Sequence, residues 1–183
     1  MRRANAILTA MILLLFLIHM LWGVLILCGW KAGGSMVFSC LGGVMLLLIL
    51  FHVLISLKFT ADTLRACKRS GVSYWRENRL FWIRRISGLA VMFFLICHVY
   101  VFSGRTVNGV FLLRVFDVAA LVSQLLLVLA LLVHILTNIG PLRLSFGLED
   151  NGNLRTDLLL ILAVLLLVAG IAFAVYFIRW NIR

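Results

Sequence analysis

The sequence has 183 residues, of which 64% are hydrophobic, and its mean hydropathy is +1.17. A soluble domain of this size cannot bury so much apolar surface, so we expect an integral membrane protein built as a single domain over residues 1–183. The formal net charge of +11 does not indicate nucleic-acid binding, because the basic residues lie beside the apolar runs, as membrane topology requires.

Uncharged apolar runs predict five transmembrane helices and an all-α fold class. Each run is long enough to cross a hydrocarbon core of about 30 Å, and continuous runs exclude a membrane barrel, whose strands alternate. The first run is too long for a signal peptide, so it is interpreted as a membrane helix. The predicted helices cover about residues 5–30, 35–58, 85–104, 115–140 and 156–179.

Short turns are predicted between most of these helices, because glycine, asparagine and proline interrupt the chain there. The longest connection, residues 59–85, is basic and aromatic. Its first part, residues 60–67, predicts a short helix lying in the membrane interface. The predicted turns are Gly33-Gly34-Ser35, Asn108-Gly109, Gly140-Pro141 and Asn151-Gly152-Asn153.

The distribution of lysine and arginine predicts the orientation. With a cytoplasmic N-terminus, twelve of these residues lie inside and five outside, which the positive-inside rule favours. The sequence therefore predicts a multi-pass protein of the cytoplasmic membrane with its C-terminus outside.

All four histidines lie inside predicted helices, one on each of the first four. A rise of about 1.5 Å per residue places them at two depths. The outer layer contains His19 and His98, and the inner layer contains His52 and His134.

Two histidines at one depth on two helices suit the two axial positions of a haem iron, with the porphyrin between the helices. Two layers therefore predict two haems b, held by a bundle of the first four helices. The irons are expected about 10–15 Å apart across the membrane.

Two alternatives to haem binding remain open. A membrane histidine can simply form a hydrogen bond across helices, or the four can form a metal or proton pathway. Zinc or manganese transport normally needs carboxylates or thiolates near the histidines, and these spans lack carboxylates. The four cysteines form no CxxC or CxxCH motif, which argues against covalently attached haem.

Three small polar residues mark the histidine faces. Asn138 follows His134 by four residues and shares its face. Ser87 and Ser123 each precede a histidine by eleven residues, about three turns, so each lies at the depth of the other layer and leaves room for the second porphyrin.

One histidine on each of four consecutive helices, with the Arg85-Ile86-Ser87-Gly88 entry to the third helix, resembles the dihaem cytochrome b membrane anchor of succinate dehydrogenase and fumarate reductase. The resemblance covers the whole chain and assigns the ligand role to His19, His52, His98 and His134. It implies a non-catalytic electron-transfer subunit of a succinate:quinone oxidoreductase, with a flavoprotein and an iron–sulfur protein as cytoplasmic partners. The basic 59–85 connection would then dock the iron–sulfur subunit.

The resemblance also suggests further binding residues. The inner haem propionates need cations, for which Arg85 is the first candidate, followed by Arg84, Lys58 and Arg143. Quinol oxidation, with menaquinone as the expected quinone, needs a proton acceptor, and Asp117 is the one carboxylate predicted on the outer side. A capping role at the start of the fourth helix is the alternative for Asp117.

The sequence thus predicts an electron carrier between menaquinone and a cytoplasmic iron–sulfur partner. The alternatives are a dihaem subunit of another respiratory oxidoreductase and a non-redox membrane transporter.

Overall fold

The computed structural model describes residues 2–71, 78–107, 110–112, 114–147 and 152–182. Within these ranges it contains five helices that are long and apolar enough to cross a membrane, which confirms the predicted five-helix, multi-pass character. In chain order the elements are α1 (Arg2–Leu27), α2 (Met36–Ser70), α3 (Arg79–Phe102), β1 (Arg105–Val107), β2 (Val110–Leu112), α4 (Val118–Ser145) and α5 (Gly152–Asn181).

Large apolar side chains stay exposed along every helix, among them Leu14, Leu54, Ile96, Leu129 and Leu167. Soluble proteins rarely expose continuous apolar surface of this extent. In a bilayer these side chains contact lipid tails, so their exposure agrees with a membrane location.

The protein core lies between α1, α4 and α5. One buried cluster contains Leu27, Phe116, Ala120, Ala172 and Phe173. A second contains Met20, Leu162, Leu166 and Ala169. Because α2 packs on α1 and α3 packs on α4, the fifth helix joins two helical hairpins.

The loop after α1 is fixed by a residue of α5. Arg179 donates a hydrogen bond from Nη1 to the Leu27 carbonyl, at 2.8 Å. Gly29 adopts φ +82°, and a Cβ atom at this position would overlap the Arg179 guanidinium. Glycine is therefore needed at position 29 both for its backbone conformation and for space.

We expect Gly29→Ala to lower the unfolding temperature in detergent more than Gly34→Ala does. Both glycines have φ +82°, so both substitutions carry the cost of a left-handed backbone, about 1–2 kcal/mol. A Cβ at Gly34 meets no atom within 4 Å, whereas one at Gly29 displaces Arg179. Equal shifts in the two variants would show that the contact with Arg179 adds nothing to stability.

The predicted interfacial helix at residues 60–67 is wrong as a separate element, because α2 continues without a break to Ser70. No glycine or proline occurs between Gly43 and Gly71. The hydroxyls of Thr60 and Thr63 also donate to carbonyls one turn earlier within the helix. The helix ends at Gly71, with φ +70°. At about 1.5 Å per residue, α2 is about 52 Å long and exceeds the bilayer core.

Side-chain caps begin α3 and α4. The Asn78 side chain accepts a hydrogen bond from the Phe81 amide at 3.0 Å, and α3 therefore starts six residues before the predicted position. Asp117 accepts from the Ala120 amide at 2.8 Å and begins α4. Each cap satisfies an amide that the first helical turn leaves without a backbone acceptor.

The predicted turn at Gly140-Pro141 is also wrong, because α4 continues through it to Ser145. Proline has no amide hydrogen, so Pro141 cannot donate to the carbonyl of Thr137 one turn earlier. Instead, Arg84 of α3 donates from Nε to the Thr137 carbonyl at 2.8 Å. The helix tolerates the proline because the neighbouring helix supplies the missing donor.

The other predicted turns have different outcomes. Residues 33–35 form the loop between α1 and α2, as predicted. Asn108-Gly109 and Asn151 lie outside the described residues, and α5 already includes Gly152 and Asn153. The short strands β1 and β2 pair antiparallel, with Val107 opposite Val110.

Candidate functional site

The outer pair of histidines consists of His19 on α1 and His98 on α3. Their ring centroids are 6.2 Å apart, and the ring planes are inclined by 70°. Two imidazoles on opposite faces of one metal ion have centroids about 6 Å apart, since each metal–nitrogen bond is about 2 Å and the nitrogen lies about 1 Å from its ring centre. The observed centroid separation of the outer pair is close to this value.

The inner pair consists of His52 on α2 and His134 on α4. These two imidazoles are close enough to interact electrostatically, and each also interacts with the guanidinium of Arg85. The structure thus brings His19 and His98 together, as helix depth predicts from the sequence, and it places His52 and His134 within electrostatic range of each other.

Thr9 of α1 fixes the His52 ring. Its Oγ1 donates to the Asn5 carbonyl at 2.8 Å and lies 3.3 Å from His52 Nδ1. The Thr9 hydroxyl therefore links the Nδ1 side of the His52 ring to the backbone of α1.

Ser87 of α3 fixes His134 in the same way. The serine hydroxyl lies 3.2 Å from the Arg84 carbonyl and 3.2 Å from His134 Nδ1. The hydroxyl is equally far from the two atoms, so it can donate to either one, and it supports the His134 ring at Nδ1. Ser87 is buried, with 6% of its surface exposed, and it lies at the depth predicted from its spacing.

His98 is held by Gln124 of α4, a residue that the sequence interpretation missed. Its Nδ1 lies 2.7 Å from Gln124 Oε1. The amide orientation follows from Ser123, whose hydroxyl donates to the Ala120 carbonyl and accepts from Gln124 Nε2 at 3.0 Å. Since Gln124 presents its oxygen to the ring, His98 carries its proton on Nδ1.

Each of these three contacts places a side-chain oxygen at Nδ1 of a histidine, and His98 donates from Nδ1 to the Gln124 oxygen. Histidines that bind a metal almost always donate their other ring N–H to an acceptor, which fixes the ring and raises the basicity of the ligating nitrogen. Three of the four rings therefore have a side-chain oxygen at Nδ1, as a metal-binding histidine usually does, and at His98 this oxygen is an acceptor.

The fourth ring, His19, is held by packing. It stacks on Phe38 of α2, with centroids 4.6 Å apart and planes inclined by 6°. Its buried Nδ1 has no hydrogen-bond partner among the residues that the structure describes. The outer pair is thus asymmetric, with one imidazole bonded to an amide and the other stacked on a phenyl ring.

Two glycines allow neighbouring helices to approach these rings. A Cβ at Gly88 of α3 would lie 3.2 Å from His134 Cε1, and one at Gly42 of α2 would lie 3.6 Å from His19 Cε1. A side chain at Gly88 would therefore press on the His134 ring, while the space beside His19 is less tight.

The predicted cations lie in different surroundings. Arg85 interacts with both inner histidines and lies over the Phe81 ring at 5.0 Å. Arg84 uses Nε to bind the Thr137 carbonyl. Lys58 is exposed, and Arg143 is buried, with 7% of its surface exposed.

The remaining predicted site residues have local partners. Asn138 donates from Nδ2 to the His134 carbonyl of its own helix at 2.7 Å, and Asp117 is the cap of α4. Ser123 lies at the level of the outer pair, as its spacing predicts, but it acts there by orienting Gln124. The quinone roles of these residues remain predictions.

Thr9 and Gln124 were missed because the sequence interpretation followed charges and histidines. Gln124 did leave a signal, since no other amide or charged side chain occurs between Asp117 and His134. A polar side chain in such a run is expensive in lipid and so indicates a specific partner. Thr9 left no comparable signal, because threonine can bond to its own helix backbone.

The described residues contain no group of three or more histidine, cysteine, aspartate or glutamate side chains that could hold a bare metal ion. The site therefore consists of two imidazole pairs, and three of the four rings have a side-chain partner at Nδ1. In comparisons with known proteins, the chain has no significant match to a family model, a curated protein or a solved structure.

Proposed function

We propose that the chain is a dihaem b-type membrane anchor of a succinate dehydrogenase or fumarate reductase complex. It passes electrons between menaquinone and a cytoplasmic iron–sulfur subunit. The observation that carries the proposal is the placement of four histidines from α1 to α4 in two layers, three of them with a side-chain oxygen at Nδ1. The active site for succinate or fumarate would lie on another chain.

The residues present fit haem as the bound group. When bound, haem supplies reversible one-electron transfer at its iron. His19 and His98 would hold one iron through Nε2, and His52 and His134 would hold the other. Arg85 lies within electrostatic range of both inner histidines, so it is the first candidate at that layer for a propionate carboxylate.

A haem fits better than a bare metal ion because of the number of ligands. Structural zinc sites use four protein ligands and catalytic sites three, whereas a haem iron takes two axial ligands from the protein. Each layer offers two imidazoles, and the described residues hold no larger metal-binding group. The same count argues against a zinc or manganese transporter.

The end of α2 supports the proposed cytoplasmic partner. If the N-terminus is cytoplasmic, the last turns of α2 project on that side and present exposed Arg65, Lys68 and Arg69. A rigid helical surface with these cations suits a partner that presents carboxylates. We propose that this partner is the iron–sulfur subunit.

The first test is the haem content of the purified chain. We expect two haems b per polypeptide by pyridine haemochrome assay, with a b-type reduced-minus-oxidised spectrum. Absence of haem in protein that remains helical and monodisperse in detergent would contradict the proposal. The histidines would then have to form a proton or metal pathway.

The second test identifies the complex. Purification of the tagged chain from native membranes should also yield a flavoprotein and an iron–sulfur protein, with succinate dehydrogenase or fumarate reductase activity. If the chain holds two haems but purifies with a different redox partner, it is a dihaem cytochrome of another respiratory oxidoreductase.

A further inference from the structure

Gln124 is the most deeply buried polar side chain among the described residues, with 0% of its surface exposed. It lies in the membrane-spanning part of α4, where an unpaired amide is expensive. Both ends of its side chain are bonded, Oε1 to His98 and Nε2 to Ser123. The amide is thus built into one hydrogen-bond chain that ends on an imidazole.

The bond from Gln124 is the shortest that any of the four rings makes through Nδ1. The distance is 2.7 Å, compared with 3.3 Å from Thr9 to His52 and 3.2 Å from Ser87 to His134. The partner is also different, since it is an amide carbonyl, which can only accept, and not a hydroxyl. His98 is therefore the most strongly supported ring of the four.

We propose that Gln124 is a positioning residue that tunes the outer haem through His98. This inference rests on the proposed function and adds a residue-specific cause for the properties of one of its two sites. His19, the opposite ligand, has no Nδ1 acceptor among the described residues, so Gln124 is the outer pair's single hydrogen-bonded support there.

The expected direction follows from ligand basicity. An acceptor on Nδ1–H pushes electron density toward Nε2, which stabilises the ferric state and lowers the midpoint potential. Removing the acceptor should therefore raise the potential of the outer haem. Loss of such an outer-shell partner typically weakens metal affinity about 10- to 100-fold, so the outer haem should also dissociate more readily.

The test compares Gln124→Met with Thr9→Val in the purified full-length chain. Methionine keeps the unbranched shape of glutamine without its carbonyl, and valine keeps the shape of threonine without its hydroxyl. The readouts are haem per polypeptide and the two midpoint potentials from a spectroscopic redox titration. Gln124→Met should raise the potential of one haem, and Thr9→Val should raise that of the other.

A third variant provides rescue. Gln124→Glu keeps a carbonyl oxygen beside His98 and should return the shifted potential to the wild-type value or below it. If Gln124→Met does not fold, Ser123→Ala takes its place, because it removes the acceptor that orients the amide and should shift the same haem in the same direction.

The outcomes separate the two proposals. Wild-type protein without haem contradicts the proposed function itself. Wild-type protein with two haems, whose potentials stay unchanged in Gln124→Met or Ser123→Ala, overturns only the role of Gln124. Equal shifts of both haems would also overturn it, since they would show a general loosening of the bundle.

Discussion

If the chain holds the two proposed haems, alanine at His52 should remove one of them and leave the other in place. Each proposed site has two ligands, and His52 contributes to the inner one with His134. Loss of one axial imidazole leaves a single protein bond to the iron. The haem content in the pyridine haemochrome assay should therefore fall from two to one per polypeptide. His19→Ala should give the same haem content, but the remaining spectrum should be that of the inner haem.

Double substitutions test the pairing itself. Alanine at both His52 and His134 should remove no more haem than either single change, because both residues serve one site. Alanine at His19 and His134 should remove both haems, because they serve different sites. Asn138→Ala is the matched control on α4, since its amide bonds to its own helix, and it should retain two haems. If alanine at His19 and His134 together removes one haem only, the pairing is wrong.

We expect Arg84→Met to be one of the most destabilising substitutions among residues other than the four histidines. Its Nε satisfies the Thr137 carbonyl, which Pro141 leaves without its helical donor. Methionine keeps a chain of comparable length but has no donor, so the carbonyl loses its partner at a cost of about 1–3 kcal/mol. The free energy of unfolding in mixed micelles should fall by that amount.

Pro141→Ala should rescue this loss. Alanine at position 141 restores an amide that can donate to the Thr137 carbonyl within α4. We therefore expect Arg84→Met to be less destabilising in the Pro141→Ala background than in the natural chain, and a double-mutant cycle measures that difference. Additive effects would show that Arg84 stabilises the bundle by some other contact.

Hydropathy alone predicted the existence and number of the helices, because a lipid environment demands about 20 apolar residues for each crossing. It could not predict where α2 ends. The apolar signal stops at Lys58, but backbone hydrogen bonds continue for as long as no residue breaks them, which here is until Gly71.

The path of α4 through Pro141 shows a different limit. Proline before the end of a helix normally predicts a break, and only a donor from another helix changes that outcome. Arg84 lies 53 residues away from Thr137 in the sequence, so no local pattern contains the contact.

The candidate site also combines features that the sequence predicts with features that depend on contacts between helices. The pairs could be predicted because a regular rise per residue converts sequence position into depth for every helix. Which side chain bonds each Nδ1 depends on helix rotation and on close approaches such as that of Gly88 to His134. Rotation is set by packing, so the sequence could mark Gln124 as an isolated polar side chain but could not show that its partner is His98, and it did not mark Thr9.

The central position of α5 has a consequence for biosynthesis. Both buried clusters need residues of α5, and Arg179 of the same helix closes the end of α1. Of the five helices, α5 is the last to leave the ribosome. The two earlier hairpins are therefore in the membrane without their contacts to α5 until α5 has been inserted. During that interval neither buried cluster is complete.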